Sequence, residues 1–207
     1  MNALSDPHAI TTAEELARHY PAPSERVLKK VSDRIEAQTA AFIARAPFCV
    51  LATAGARGMH ATPRGDEPGF VAVLDEKTLA LPDRKGNNRV DALRDVLEDP
   101  RVSLLFLIPG IGETLRIAGQ ARLTADPALK KRFEMQGKEP ATVMLITVEE
   151  VFTQCARAIL RSRIWKGAEK PEGVPTGGDM LSEQSKGVID GKVYDTEDAA
   201  RIAANLY

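Results

Sequence analysis

The chain has 207 residues, of which 43% are hydrophobic, with 28 Lys and Arg against 29 Asp and Glu. That is enough apolar material for one sizeable core, and it excludes an intrinsically disordered chain. A formal net charge of −1 argues against broad phosphate-backbone binding, which needs a basic footprint, so no nucleic acid partner is expected and any anion site must be local.

The opening residues MNALSDPHAITTAEELARHY lack the apolar core of a signal peptide. No later run approaches the roughly 18 apolar residues that cross a bilayer, so the expectation is a cytoplasmic protein with no membrane partner. Helical character is expected over Thr12–Arg18 and again over Ser24–Ala44, where Val27, Val31, Ile35, Phe42 and Ile43 fit one buried face and Ser24 is placed to cap. Residues 1–46 are read as a helical appendage.

At Pro47 the pattern changes to short apolar runs. FCVLAT, GFVAVLD, TLALPD, RVSLLFLI, TLRIAGQARL and TVMLITVEEVF each read as a strand, with GARG, DEK and PGIGE as turns. Many strands with few helices between them predict an antiparallel barrel, mainly β with flanking helices, over residues 47–165. SLLFLI is apolar on both faces, which predicts cover from the barrel interior on one side and from a partner subunit on the other. TVMLITV is expected to behave likewise.

Two helices interrupt the strands: Asn88–Asp99, with Val90, Leu93, Val96 and Leu97 along one side, and ALKKRFEMQG, with Asp126 and Pro127 as cap and first turn. Residues 166–207 are rich in Pro and Gly at first and are read as an extension lying over the barrel, ending in a short helix at TEDAARIAANL. Cys49 and Cys155 lie outside any paired-ligand spacing and read as buried free thiols, with no disulfide and no metal site expected.

The loop PDRKGNNR at Pro82–Arg89 carries the chemistry. Arg84, Lys85 and Arg89 surround a glycine and two asparagines before a helix start, where backbone N–H groups and the helix dipole favour an anion. Arg89 in the first turn is disfavoured by that dipole unless an anion accompanies it. The alternative is a solvated basic loop paired with Asp83, Asp91 or Asp95. RGD at Arg64–Asp66 is read as a turn, GIG at Gly110–Gly112 lacks the rest of a dinucleotide fingerprint, and His60 is read as a strand or turn histidine. Trp165 with Arg157, Arg161 and Arg163 either packs at a subunit interface or contacts a bound anion.

From about Phe48 to Trp165 the sequence resembles the pyridoxamine 5′-phosphate oxidase superfamily, the FMN-binding split barrels, in particular a branch of FMN-dependent proteins with no assigned substrate. The resemblance is carried by PRGDEPGFV at Pro63–Val71, PDRKGNNRVDALR at Pro82–Arg94, PRVSLLFLIPG at Pro100–Gly110, ETLRIAG at Glu113–Gly119 and RSRIW at Arg161–Trp165. It implies an FMN-binding split β-barrel and a homodimer holding FMN at the interface. The family's Ser-Arg-Lys phosphate clamp falls near Asn87, Asn88 and Arg89, with Arg84 and Lys85 just before it. Arg64 resembles the arginine that approaches the flavin, Pro82 and Asp83 stand where the chain passes the isoalloxazine ring, and Thr114 stands where a polar side chain faces it. Arg161 and Trp165 join the candidate cofactor residues.

No histidine follows His60, so the Arg-Leu-His element resembling the substrate clamp of the true oxidases is absent, and pyridoxamine 5′-phosphate oxidase activity is not expected. The expected function is an FMN-binding oxidoreductase with hydride transfer through the flavin, a small-molecule substrate of unknown identity and no catalytic side chain assigned. The alternative is a carrier or sensor that binds flavin, deazaflavin or haem without turnover.

Overall fold

The computed structural model of the chain describes residues 6–167, 171–203, 206 and 207. In chain order the elements are α1 (Ala13–Ala17), α2 (Glu25–Leu28), β1 (Val31–Ser32), α3 (Ala37–Ile43), β2 (Phe48–Gly55), β3 (Gly58–Gly65), β4 (Ala72–Asp75), β5 (Thr78–Pro82), α4 (Asp91–Glu98), β6 (Arg101–Leu107), β7 (Thr114–Thr124), α5 (Pro127–Arg132), β8 (Val143–Gln154), α6 (Arg157–Ser162), α7 (Gly177–Gln184) and α8 (Gly191–Ala203). The strands form one antiparallel sheet in the order β3-β2-β6-β7-β8-β5-β4, with β1 added on β8. The sheet is mainly β structure with flanking helices, a split barrel: its path is open, and it curls so that β3 and the end of β5 face each other across a seam.

Alternation decides which side of each strand is inside. Cys49 and Leu51 of β2, Val102, Leu104 and Phe106 of β6, Leu115 and Ile117 of β7, and Met144, Ile146 and Val148 of β8 share the main core with Leu79 and Leu81 of β5. The Cys49 thiol is buried there, and burial pushes it up to about 12. Cys155, expected to be buried, is exposed.

The second face of β8 corrects one expectation. Val143 and Leu145 pack with Ala80 against Phe133, supported by Leu129 of α5. That face of TVML is covered by the protein's own helix rather than by a partner. On β6 the second face is only half-buried: Leu105 and Leu107 stand beside half-buried Val50 and Phe48 of β2.

The expected helix Ser24–Ala44 is divided. Val31 and Ser32 leave the helical path to pair with Phe152 and Val151, and Val27 and Val31 are exposed. The apolar repeat mixed two elements; of the proposed face Ile35 and Ile43 are buried in the core and half-buried Phe42 packs against it. GMHATPRG, not expected as a strand, is β3, paired along its length with β2. The helix expected from Asn88 begins at Asp91. In the tail, expected to lie extended before one short helix, α7 opens with a capping box on Thr176 and Asp179 and pairs with a longer α8; residues 204 and 205 of TEDAARIAANL lie outside the described residues. No described helix is long and apolar enough to cross a membrane.

Candidate functional site

A cleft of about 1090 Å³ opens at the seam, lined from β3 by Thr62, Pro63 and Arg64, from the end of β5 by Pro82 and Asp83, and from the following loop by Arg84 to Val90. The far wall is supplied by Lys130 of α5 and by Lys138 to Thr142, with Tyr207 at one end. The size is slightly above the roughly 300–1,000 Å³ usual for ligand sites. Six cationic side chains line it against three carboxylates, Asp83, Asp91 and Glu139. A chain with no positive excess overall has concentrated one here.

Two ion pairs tie the seam. Arg64 Nη1 lies 2.7 Å from Asp83 Oδ1, and Arg84 Nε lies 2.6 Å from Asp66 Oδ2. The RGD of β3 and the DR after β5 thus pair reciprocally, although four strands separate β3 from β5 in the sheet. Arg84 Nη1 also donates to the Phe133 carbonyl at 2.6 Å. Asp66 is only 2% exposed in its side chain. Burial pushes its carboxyl up, but hydrogen bonds from Tyr207, the Glu67 backbone and Arg84 outweigh this and hold it below the ordinary range.

The loop between the seam and α4 is strained. Asn88 and Val90 adopt φ of 61° and 51°, the left-handed region that non-glycine residues seldom occupy and that a β-branched side chain resists. Val90 gives α4 no side-chain cap, and Asp91 occupies the first turn. Arg89 Nε sits 2.8 Å from Asp91 Oδ2, and Arg57 reaches the other oxygen at 2.7 Å. Together they hold the Asp91 carboxyl at about 2, the Arg57 bond being the larger cause. The first-turn cation expected to need an external anion therefore has an internal partner, as the solvated-loop alternative held. Arg89 remains exposed, and Asn87 Oδ1 accepts from its backbone N–H at 3.1 Å.

Arg64, Pro82, Asp83, Arg84, Lys85, Asn87, Asn88 and Arg89 all line the cleft, and Thr114, Arg161 and Trp165 do not. Thr114 Oγ1 donates to Gln154 Oε1 at 3.4 Å on the β7–β8 pair, and Trp165 Nε1 donates to the Ile111 carbonyl at 2.8 Å. Arg161 lies in the last turn of α6. Sequence reasoning missed Asp66 as the partner of Arg84 and did not find Lys130, Lys138, Thr142 or Tyr207 in the cleft wall. No local pattern marks these four; the fold brings them to the cleft from distant segments. Two polar atoms of the cleft residues, Arg64 Nε and Thr142 Oγ1, are buried without a hydrogen-bond partner, a cost that native sites tolerate where a ligand or water completes them.

Beside the cleft, α4 is anchored by Asp95, which is 2% exposed. Thr53 Oγ1 donates to it at 2.7 Å, and His60 Nδ1 lies 2.6 Å from the same oxygen. The Thr53 bond is the chief cause that holds this carboxyl below its ordinary value, against burial, with His60 adding to it. A depressed folded-state value means that the stabilisation is present above the unfolded value of about 3.9 and is lost as pH falls through the folded one. Denaturant midpoints should hold steady down to about pH 4 and fall below it. Asp95→Asn should cost about 1–3 kcal/mol at neutral pH and flatten that acid limb; an unchanged limb would assign it to other carboxylates.

A family model described as pyridoxamine 5′-phosphate oxidase matches residues 35–155. The chain belongs to that family, and the match spans β2 to β8, the strands that build the seam. No curated protein matches the chain. Among solved structures it is similar to HupZ of Group A Streptococcus, at 18% identity over 66% of this chain and 99% of that one, with a TM-score of 0.48. It is also similar to general stress protein 26 of Bacillus anthracis, at 15% identity over 55% of this chain and 88% of that one, TM-score 0.42. A Clostridium acetobutylicum protein related to general stress protein 26 matches at 15% identity over 59% and 94% of the two chains, TM-score 0.41.

Proposed function

We propose that the seam cleft binds FMN and that the protein is an FMN-dependent oxidoreductase acting on a small molecule of unassigned identity. The observation that carries this reading is the cleft's excess of cationic side chains, together with the orphaned Arg64 Nε and Thr142 Oγ1 in its wall. Those groups suit a ligand with an anionic end and polar edges, and family membership favours a flavin over the haem or deazaflavin alternatives. In this reading Lys85, Arg89 and the amides of Asn87 and Asn88 hold the phosphate, while Arg64, Pro82 and Asp83 border the ring. Arg84, tied to Asp66, shapes the loop. When bound, FMN would supply the two-electron redox chemistry, and the chain would bind, orient and shield it.

The same reading takes the protein to be a homodimer. The half-buried outer face of Phe48, Val50, Leu105 and Leu107 offers an apolar surface, and exposed Ile111, Leu160, Ile164 and Trp165 extend the apolar area near the β6–β7 turn and α6. A partner docked there accounts for Thr114, Arg161 and Trp165, which lie away from the cleft of their own chain. Residues 1–46 and 166–207 are taken as appendages to the barrel.

Binding without turnover is the second reading, and one observation favours it. Each cleft carboxylate is already ion-paired: Asp83 with Arg64, Asp91 with Arg57 and Arg89, and Glu139 with Lys130 at 3.9 Å. None stands ready as a general acid or base. Anaerobic mixing of the flavin-loaded protein with a nicotinamide reductant separates the two readings, since bleaching of the flavin absorbance marks an oxidoreductase.

The primary test is sedimentation followed at the flavin absorbance, with FMN and riboflavin titrated against wild type and Arg89→Ala. One FMN per chain on a particle of twice the chain mass is expected. Arg89→Ala should weaken FMN by about 1.5–3 kcal/mol, roughly ten- to a hundredfold, and leave riboflavin unchanged. No FMN binding at micromolar concentration would overturn the reading; equal losses for both ligands would remove the phosphate from the loop.

A further inference from the structure

Tyr207 has no place in the resemblance or in the family match, which ends at residue 155, yet it is built into the cleft wall. The preceding helices form a tight hairpin. Gly178 N–H donates to Asp195 at 2.7 Å, and a Cβ at Gly178 would collide with the Gly191 carbonyl oxygen. Beyond α8, the Tyr207 hydroxyl donates to Asp66 Oδ1 at 2.7 Å. Its ring lies under the Arg84 guanidinium, 5.7 Å from centroid to Cζ. Lys138 Nζ donates to its backbone oxygen at 2.8 Å.

Three cleft segments thus converge on one residue: the end of β3, the basic loop and the turn that carries Lys138. Leu206 and Tyr207, with Arg201 and Ile202 of α8, wall a second cavity of about 440 Å³ that shares Arg84, Lys85, Gly86 and Asn87 with the first. Between β5 and α4 the basic loop, residues 83–90, belongs to no helix or strand and contains two left-handed residues, Asn88 and Val90. Its anchor is Arg84, held by Asp66 Oδ2, while Asp66 Oδ1 accepts from the Tyr207 hydroxyl and from the Glu67 backbone N–H, in a site almost closed to water.

We propose that Tyr207 is a positioning residue of the anion site: seated on Asp66 and Arg84, it holds the basic loop in its ligand-receiving arrangement, so that ligand binding and seating of the C-terminal hairpin are linked. This rests on the reading of the cleft as an FMN site. Linkage is reciprocal: whatever factor the seated tyrosine adds to FMN affinity, FMN adds to the seating of the tyrosine. The effect should fall on the phosphate end of the ligand, where the loop is, and spare the ring end.

The test compares wild type, Tyr207→Phe and Tyr207→Ala for FMN and riboflavin affinity, with a phenolate absorbance titration of the ligand-free protein. Tyr207→Ala should weaken FMN about tenfold and riboflavin much less; Tyr207→Phe, which keeps the ring under Arg84, should recover part of the loss. The wild-type minus Tyr207→Phe difference titration should place this phenol above the ordinary tyrosine value of about 10, because its hydrogen bond to Asp66 favours the protonated form, and Asp66→Asn should bring it back. FMN affinity unchanged in both variants overturns the inference and leaves the FMN reading intact. If wild type binds no FMN, the FMN reading fails by itself and the titration decides: an ordinary midpoint overturns the seating, and a raised one reversed by Asp66→Asn upholds it.

Discussion

Arg84→Ala is expected to destabilise the fold by about 3–5 kcal/mol, the usual cost of removing one partner from a buried ion pair, and to lower the thermal midpoint by roughly 6–20 °C for a chain of this size. Arg84 is 17% exposed in its side chain, and the carboxylate it leaves behind, on Asp66, is 2% exposed. The loss also releases the Phe133 carbonyl and the platform for the Tyr207 ring. Arg89 is 71% exposed in its side chain and paired at the surface, so Arg89→Ala should change stability by no more than about 0.5 kcal/mol. The contrast matters for function: loss of FMN binding in Arg84→Ala would report a collapsed loop, whereas loss in Arg89→Ala would report a missing phosphate contact. Removing both charges together, as Arg84→Met with Asp66→Leu, should recover much of the stability, because no buried charge is left unpaired. A double variant as unstable as Arg84→Ala alone would show that the pair is not the source of the cost.

Gly119→Ala is expected to cost about 3 kcal/mol or more, a fall of roughly 6–12 °C in the thermal midpoint. Gly119 sits at the bulge where the β7–β8 register steps from Ala118↔Glu150 to Gly119↔Val148. A Cβ there would overlap the Thr147 carbonyl oxygen and lie 3.0 Å from its carbon. Both are backbone atoms of the neighbouring strand, so relief requires separating the longest strand pair in the sheet rather than turning a side chain. A midpoint shift under about 2 °C would mean that the strands do not approach this closely in solution.

The two substitutions probe layers that differ in how far a sequence reveals them. The strands β2, β5, β6, β7 and β8 were legible because each buries a row of apolar residues, and that requirement is written locally, in FCVLAT as in TVMLITV. The helix α4 was legible only in part, with Val96 inward and Glu98 outward: Val90 and Leu97, expected on the apolar side, are exposed, Asp95 is buried instead because Thr53 and His60 supply its partners, and the start lay three residues later than periodicity indicated because Asn88 and Val90 are left-handed. β3 was not legible: GMHATPRG buries no residue fully, so it carries no apolar alternation to read, and it is a strand because β2 supplies its hydrogen bonds. The interruption of the expected helix at Val31 has the same origin, since Val31 and Ser32 pair with Phe152 and Val151 of β8, far along the chain.

For the site, the sequence by itself determined that the loop from Pro82 to Arg89 is basic, turn-forming and placed before a helix, since those are properties of adjacent residues. It also determined family membership, through motifs spread from Phe48 to Trp165. Only the tertiary structure decided which charge meets which. The pairs Arg64 with Asp83, Arg84 with Asp66, and Tyr207 with Asp66 exist because the open sheet curls until its ends approach, bringing together residues 19, 18 and 141 positions apart. The physical reason is one of range. Burial of an apolar face leaves a period of two or of 3.6 in the chain itself, whereas an ion pair across a seam leaves no periodic trace, because its geometry is fixed by the twist and curl accumulated over every strand between the partners.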